Sequence, residues 1–173
     1  HWRAPSASTR VNLPATVTSL IGRSEELALV HGYLSDPNIR LITLIGPPGI
    51  GKTRLSLEAA RTVTAEFTDG VFFVALAPLD DPTFITSAVI NALGYVEAKS
   101  QNLFIQLADR IGDKHILLVL DNCEHLIEDI APFASRLLSA CSCLKIIATS
   151  RESLRIPGEW LYSVPALNVP KEN

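Results

Sequence analysis

Hydrophobic residues along the chain follow two alternating patterns, one typical of buried strands and one typical of helices. Short apolar runs, bounded by glycine or polar residues, predict strands that are buried on both faces. These runs occupy residues 41–45, 71–76, 116–120 and 144–149, and a last short strand is predicted near 160–164. Between the strands, apolar residues recur every three or four positions, which is the spacing of an amphipathic helix packed on a sheet.

The helical spacing occurs in five segments. We predict helices from a capping Ser24 to just before Asp36, from Thr53 along a stripe that reaches Phe67, near 82–93, near 101–111, and from about 123 to 140. Right-handed crossovers between parallel strands place helices on both faces of a sheet. The alternation therefore predicts an α/β fold, a three-layer sandwich with a mainly parallel five-stranded sheet.

The two ends of the chain lack this periodicity. Residues 1–15 are polar, contain proline and serine, and are predicted to form a linker or flexible leading segment, so that the domain itself covers 16–167. Residues 168–173 are expected to begin a linker toward a further domain. Because the chain starts at His1 rather than Met and its first ten residues lack the apolar core of a signal peptide, it resembles an excised piece of a longer protein.

Composition narrows the class of protein. The 173 residues are 47% apolar and 19% charged, which describes one globular domain with its own core. Fifteen Lys and Arg against 18 Asp and Glu give a net charge of −3, so we expect no direct nucleic-acid binding by this segment. The apolar runs are far shorter than the roughly 18 residues that a transmembrane helix needs, so we expect no membrane partner.

The three cysteines indicate a reducing compartment. Cys123, Cys141 and Cys143 form neither an even disulfide set nor a paired zinc motif, which favours free thiols and a cytoplasmic location. Cys141 and Cys143 could together bind a metal ion, but small apolar residues at the end of a helix explain the pair without one.

A glycine-rich loop gives the strongest chemical signal. Residues 46–53, GPPGIGKT, match the pattern G-x-x-x-x-G-K-[ST] at every fixed position and lie between a predicted strand and a predicted helix. Glycines let backbone N–H groups wrap phosphates, Lys52 adds charge on the β and γ oxygens, and Thr53 offers a hydroxyl to Mg²⁺. We expect Lys52 to be exposed to the phosphate pocket rather than packed in the core. A turn that binds nothing is the disfavoured alternative. The predicted ligand-binding residues of this segment are Gly46, Pro47, Pro48, Gly49, Ile50, Gly51, Lys52, Thr53 and Arg54.

An acidic residue follows the apolar run 116–120. Ligands of parallel sheets bind beyond the carboxyl ends of the strands, so Asp121 is expected at the same edge as the glycine-rich loop. We predict that Asp121 holds Mg²⁺ through its waters, together with Thr53. The alternative is that Asp121 or Asn122 caps the helix predicted to begin near 123.

Two further charged side chains are expected at this edge. Arg151 follows the next strand, and its planar fork suits a γ-phosphate, although an arginine on a surface loop is the alternative. Glu124 is either a solvated acid of a first helical turn or a group that orients the attacking water. His125 beside it is more simply an exposed helix residue. The candidate catalytic residues are therefore Lys52, Asp121, Glu124 and Arg151.

Four segments in this order resemble a known family. LIGRSEEL (20–27), GPPGIGKT (46–53), ILLVLDNCEHL (116–126) and KIIATSRESL (145–154) are similar to the nucleotide-binding domain of STAND-class P-loop signalling NTPases. They look most like the NB-ARC-like ATPase domains of bacterial multidomain transcriptional regulators of the LuxR and AfsR type. The resemblance spans about residues 17–167.

The resemblance implies a sheet order and several ligand contacts. The family order, 5-1-4-3-2, would bring Lys52, Asp121 and Arg151 together, with Arg151 as the γ-phosphate sensor. In the family the segment that contains Arg23 lies against adenine and ribose, whereas on sequence alone an ordinary exposed arginine is an equally good interpretation of Arg23. The residues concerned would be Leu20, Ile21, Gly22 and Arg23. The implied cofactors are ATP or ADP with Mg²⁺.

This sequence departs from the family at one position. Many relatives have Asp or Glu immediately after the Walker B aspartate, where this chain has Asn122, so we expect slow hydrolysis. In such proteins a helical and winged-helix lid closes over the nucleotide, and it would follow residue 167.

The sequence therefore favours an ATP/ADP-binding regulatory switch, whose slow or conditional hydrolysis controls an attached output domain that regulates transcription. Its partners would be the adenine nucleotide, the lid and effector domains of the same chain, and a second copy if nucleotide drives self-association. A metabolite or nucleotide kinase is the alternative, but it needs an arginine-rich lid, and only Arg110 lies between 94 and 115. A scaffold with a vestigial P-loop is disfavoured because four functional residues, Lys52, Thr53, Asp121 and Arg151, are all present.

Overall fold

A computed structural model describes residues 10–15, 20–99 and 102–167, in which five strands alternate with helices. The helices are α1 (Ser24–Ser35), α2 (Lys52–Thr62), α3 (Ile85–Ala92), α4 (Leu103–Ile111) and α5 (Ile127–Ala140). The strands are β1 (Leu41–Ile45), β2 (Gly70–Ala75), β3 (Ile116–Asp121), β4 (Lys145–Ser150) and β5 (Glu159–Ser163). A 3₁₀ turn, Pro82–Phe84, leads into α3. Within these described segments, no helix is both long and apolar enough to cross a bilayer.

The strands form one sheet in the order β5-β1-β4-β3-β2. All four neighbouring pairs are parallel. This arrangement confirms the predicted α/β fold and the sheet order 5-1-4-3-2. Since β4 lies between β1, which leads into the glycine-rich loop, and β3, which ends at Asp121, the carboxyl ends of these three strands meet at one edge of the sheet.

Alternating side chains of the strands build a core on each face of the sheet. In β3, Leu118 and Leu120 pack with α3, α4 and α5 on one face, while Leu117 and Val119 pack with α1 and α2 on the other. All residues of β3 and β4 are buried, as expected for the central strands of a parallel sheet. The sheet edge that holds the candidate site is therefore fixed by packing on both sides.

The helix predicted from about 123 begins later, at Ile127. The chain turns first, because the Cys123 N–H donates to Thr149 O at 2.9 Å and keeps residues after β3 at the edge of the sheet. Asp121 and Asn122 lie well before the helix, so the alternative role of either residue as its cap is wrong. Both belong to the end of β3 and the turn after it.

Two other helix boundaries differ from the prediction. α2 ends at Thr62, while the apolar stripe continues through Val63 and Phe67, which are buried from the turn that follows. Ser24 is the first residue of α1 rather than its cap, and Arg23 occupies the N-cap position. Apolar spacing thus identified core residues correctly but extended one helix beyond its end.

Residues 10–15 pack along the outer edge of β2. Val11 forms a parallel bridge with Val71, and the Asn12 side-chain carbonyl accepts a hydrogen bond from the Phe73 N–H at 2.6 Å. These contacts cover part of an otherwise open strand edge. The domain boundary at residue 15 stays a prediction, and the two predicted linkers extend beyond the described residues.

Lys145, the first residue of β4, joins the carboxyl end of α1 to the sheet. Its Nζ donates to Leu34 O and Asp36 O, each at 2.7 Å, and to Tyr33 O at 3.4 Å. Burial lowers the pKa of this ammonium, although the carboxylates of Asp36 and Glu66 oppose that shift. The last carbonyls of a helix lack hydrogen-bond donors within the helix, and Lys145 supplies donors to those of α1.

We expect Lys145→Met to lower the free energy of unfolding by about 1.5–3 kcal/mol, the contribution typical of hydrogen bonds to a charged group. Methionine retains most of the volume of the buried stem, so a cavity would not cause the loss. Urea unfolding followed by circular dichroism measures the effect, with the exposed Lys99→Met as the matched control. Equal stability of the two variants would contradict this account of Lys145.

Candidate functional site

The glycine-rich loop turns from β1 into α2 through two glycines in the left-handed region. Gly49 has φ 79° and Gly51 has φ 95°, values that other residues adopt only with strain. Gly51 occupies the N-cap position of α2. A loop of this shape before a helix N-terminus presents backbone N–H groups and the positive end of the helix dipole to an anion.

Lys52 is buried, and the expectation that it is exposed in a phosphate pocket is wrong. The residue is 7% exposed, and its Nζ donates to Gly46 O at 2.7 Å and to Pro47 O at 3.0 Å. The reason is that an ammonium has three donors and no acceptor, and the loop's own carbonyls lie within its reach. The positive charge is therefore held inside the loop rather than displayed beside it.

Two hydroxyl groups converge on Asp121. Thr53, from α2, and Thr149, from β4, each donate from Oγ1 to Asp121 Oδ1 at 2.7 Å. The aspartate is 6% exposed, and these hydrogen bonds offset the cost of burying a carboxylate. A hydroxyl and a carboxylate side by side are oxygen ligands of the kind that Mg²⁺ prefers, so this donor set fits a magnesium ion.

Thr149 is a site residue that sequence reasoning did not identify. It is fully buried, and its Oγ1 also accepts a hydrogen bond from the Asn122 N–H at 3.0 Å. A usable signal existed, because Thr149 is the last residue of the predicted strand 144–149, and the sheet order implied by the family resemblance places that strand beside the one that leads to Asp121. Asn122 has φ 60°, in the left-handed region that Asn tolerates better than most residues, so its identity suits the turn after β3.

The structure brings Glu124 and Arg151 together. Arg151 Nε lies 3.8 Å from Glu124 Oε1, and the two side chains are 61% and 21% exposed. Glu124 lies in the turn before α5 rather than inside a helix, and its Oε2 is buried with no hydrogen-bond partner among the described residues. An ion pair exposed to this degree is typically worth only about 0–1 kcal/mol, so Arg151 can leave Glu124 for a stronger partner.

Arg23 is buried, so the alternative of an ordinary exposed arginine is wrong. It is 3% exposed, and its guanidinium donates from Nη1 to Pro165 O at 2.5 Å and from Nη2 to Ile50 O at 2.8 Å. The first carbonyl lies just after β5 and the second lies in the glycine-rich loop. Ile21, by contrast, is 81% exposed, and Gly22 has φ 77°. The segment 20–23 therefore lies beside the loop.

His125 and the three cysteines are the other residues that the sequence singled out. A ring nitrogen of the exposed His125 lies 2.9 Å from Leu79 O, in a turn rather than a helix. Cys123 is buried, and burial raises the pKa of its thiol well above the ordinary value, which keeps it protonated and unreactive. Cys141 is also buried and Cys143 is exposed. Within the described ranges, no three or more His, Cys, Asp or Glu side chains form a metal-binding cluster.

The glycine-rich loop joins β1 to α2 in a parallel sheet of order 5-1-4-3-2, and Thr53 contacts Asp121 beyond this loop. These features define a P-loop nucleotide-binding domain. The family model described as "AAA domain" matches residues 38–155 of this chain. The chain therefore belongs to the AAA-domain family of P-loop proteins.

The similar proteins include large bacterial ones. An uncharacterised protein of Mycobacterium tuberculosis is 38% identical over 165 residues, which are 95% of this chain and 40% of that protein. A candidate HTH-type transcriptional regulator of the same species is 38% identical over 133 residues, which are 77% of this chain and 15% of that protein. The chain spans less than half the length of these relatives. The predicted relation to multidomain bacterial regulators is confirmed.

A solved structure extends the likeness to signalling ATPases. The STAND protein with a tetratricopeptide repeat sensor from Pyrococcus horikoshii superposes with a TM-score of 0.56, over 91% of this chain and 25% of that chain. The two sequences are 18% identical, so the likeness concerns the fold. The fold predicted from the resemblance to STAND-class NTPases is thereby confirmed.

Proposed function

We propose that the chain is an ATP/ADP-binding regulatory switch domain, in which the bound nucleotide controls an attached output domain and slow or conditional ATP hydrolysis resets it. The observation that carries this proposal is the weak ion pair between Glu124 and Arg151 at the same sheet edge as the P-loop. A γ-phosphate offers Arg151 stronger charge-assisted hydrogen bonds than Glu124 does, and ADP offers none. ATP and ADP would therefore favour different arrangements of these two side chains.

The P-loop residues take the phosphate roles in this proposal. Backbone N–H groups of the loop, with Gly49 and Gly51 as its left-handed positions, would surround the phosphates. The Lys52 ammonium would exchange its carbonyl partners for β and γ oxygens. Thr53 and Asp121 would hold Mg²⁺, which neutralises charge on the phosphates when bound.

We assign the adenine base to the cleft beside Arg23. A cavity of about 360 Å³ lies between Gly22 on one side and the segment 165–167 on the other, and its lining also includes the polar side chains of Ser24, Glu25 and Glu26. Ile21 and Leu167, 81% and 52% exposed, add apolar surface near this cleft. Apolar surface next to a phosphate loop suits a flat base, and the family resemblance assigns the base to the same segment.

The relatives support transcriptional regulation as the output. One of them is named as an HTH-type transcriptional regulator and is much longer than this chain, so an effector outside this segment fits the proposal. The proposed partners are the adenine nucleotide, a lid and effector domains of the same protein, and a second copy where nucleotide drives self-association. The proposed location is the cytoplasm, where a regulator would meet ATP.

The position of Arg110 supports a switch over a small-molecule kinase. The Arg110 guanidinium lies 5.3 Å from the centre of the Tyr95 ring, near the end of α4 that precedes β3. That end of β3 is opposite to the site. The sole arginine between 94 and 115 is therefore not placed to act as a lid over phosphates.

We expect Arg151→Ala to weaken ATP binding by about 10- to 150-fold, the loss of one charge-assisted interaction, and to leave ADP binding nearly unchanged. Competition titration against a fluorescent ADP analogue measures both affinities. Arg155→Ala is the matched control, since Arg155 is also exposed and lies four residues further on. An equal loss for ATP and ADP would contradict the sensor role.

A further inference from the structure

Arg23 connects two segments that are far apart in sequence, the P-loop and the chain that leaves β5. We propose that Arg23 is a positioning residue that couples nucleotide binding at the P-loop to the conformation of residues 165–167. This inference rests on nucleotide binding by the P-loop, and it concerns the side chain's bonds to two backbone carbonyls rather than any contact with the base. Its evidence is the pair of hydrogen bonds from one buried guanidinium to Ile50 O and Pro165 O.

The first hydrogen bond orients a peptide group of the P-loop. In a trans peptide the carbonyl and the following N–H point to opposite sides, and the described residues contain no cis bonds. Because Arg23 holds Ile50 O at 2.8 Å, the Gly51 N–H is turned to the side away from the guanidinium. Gly51 is the last loop residue before α2, so this N–H belongs to the group that would bind phosphate oxygens.

The second hydrogen bond holds the chain just after its last anchored residue. Val164 is buried, and its N–H donates to Ile45 O at 2.9 Å, which ties it to the end of β1. Pro165, Ala166 and Leu167 beyond it are exposed. Proline has no N–H to donate, so Pro165 O is the polar backbone group through which this residue is held, and Arg23 is its donor.

The two hydrogen bonds cannot change independently. The guanidinium is a planar fork with fixed donor directions, and at 3% exposure it cannot turn to water when one acceptor moves. Glu26 Oε1 lies 4.0 Å from Nη1 and balances the charge of the guanidinium, but it takes no part in the hydrogen bonds to the two carbonyls. A bound nucleotide that fixes the Ile50–Gly51 peptide would therefore also strengthen the hydrogen bond to Pro165 O. Because coupling is reciprocal, fixing Pro165 O would in turn strengthen nucleotide binding.

Hydrogen exchange at the Ala166 and Leu167 amides tests the coupling, with and without inorganic pyrophosphate and Mg²⁺, in wild type, Arg23→Gln and Arg23→Lys. Pyrophosphate occupies the phosphate site but has no base to contact residues 165–167. In wild type we expect it to slow exchange about 5- to 150-fold, the usual size of coupling between two sites. Both variants should lose this slowing at saturating pyrophosphate, since neither side chain bridges two carbonyls as a fork. Their affinities for ATP and ADP should fall by one common factor of about 10- to 150-fold.

Glu26→Gln is the matched control, because it removes the neighbouring charge and leaves both carbonyl contacts, and it should keep the slowing. Unchanged exchange at 166 and 167 in wild type that binds pyrophosphate would overturn the inference. So would pyrophosphate-dependent slowing that persists in Arg23→Lys. If Arg23→Gln fails to fold, the comparison of wild-type exchange with and without bound ligand still tests the inference. Failure of wild type to bind any nucleotide in the parallel titration would overturn the proposed function, and this inference with it.

Discussion

Replacing Lys52 with Ala or Met is expected to weaken ATP and ADP binding by at least about 100-fold, since two hydrogen bonds from a charged group contribute about 1.5–3 kcal/mol each. The buried ammonium lies inside the P-loop, held by the carbonyls of Gly46 and Pro47, and is placed to turn toward β and γ oxygens. Titration with a fluorescent ATP analogue measures the loss. The two variants together separate loss of charge from loss of packing.

Lys52→Met is the more informative variant because Lys52 is only 7% exposed. Methionine fills most of the space of the buried stem, whereas alanine leaves a cavity that can disturb the loop by itself. Lys99→Met, at an exposed position, controls for the change of net charge. Circular dichroism should show the same secondary structure in all of them. Wild-type affinity in Lys52→Met would refute the assignment of the phosphates to this loop.

Glu124→Gln is expected to reduce the single-turnover rate of ATP hydrolysis by about 10²–10⁴-fold, which is the usual contribution of a positioned general base. Glu124 lies beside Arg151, and its Oε2 is buried without a hydrogen-bond partner among the described residues, so it is available to accept one from a water. An amide has no comparable basicity, and Asn122 therefore cannot replace it. Phosphate release after mixing with ATP and Mg²⁺ measures the rate.

Three further variants are needed to interpret the hydrolysis rate of Glu124→Gln. Glu128→Gln removes an exposed carboxylate from the first turn of α5 and should leave the rate unchanged. Asn122→Asp tests a second carboxylate without new strain, because Asp also tolerates φ 60°. Lys52→Met is the blank. A wild-type rate above about 1 s⁻¹, near the low end of ordinary enzyme rates, would contradict a slow switch. An unchanged rate in Glu124→Gln would remove Glu124 from the chemistry.

The sequence predicted those parts of the site that are encoded by residues close together in the chain. The P-loop is a contiguous motif, and the spacing of its glycines, Lys52 and Thr53 indicates phosphate binding. The apolar runs located each strand to within one residue at either end. Asp121 followed from its place after a buried strand. The contact between Thr53, at the start of α2, and Asp121 then required only that β1, which leads into the P-loop, and β3 end at the same edge of the sheet.

The parts that sequence did not predict depend on partners far along the chain. Arg23 is buried because Ile50 and Pro165 present carbonyls to it, and Pro165 is 142 positions away. Thr149 acts through Asp121, 28 positions away. The burial of Lys52 depends on where two loop carbonyls point, which composition and periodicity do not encode. Such contacts are set by tertiary packing rather than by local pattern.

The central claim, that ATP and ADP hold this domain in different arrangements, is tested most directly by hydrogen exchange. Wild type would be compared with saturating ADP and with a non-hydrolysable ATP analogue, each with Mg²⁺. We expect the two nucleotides to give different exchange in peptides that contain Glu124 and Arg151, and the same exchange around Lys145, at the opposite end of the sheet. Identical exchange throughout, with both nucleotides shown to be bound, would contradict the switch.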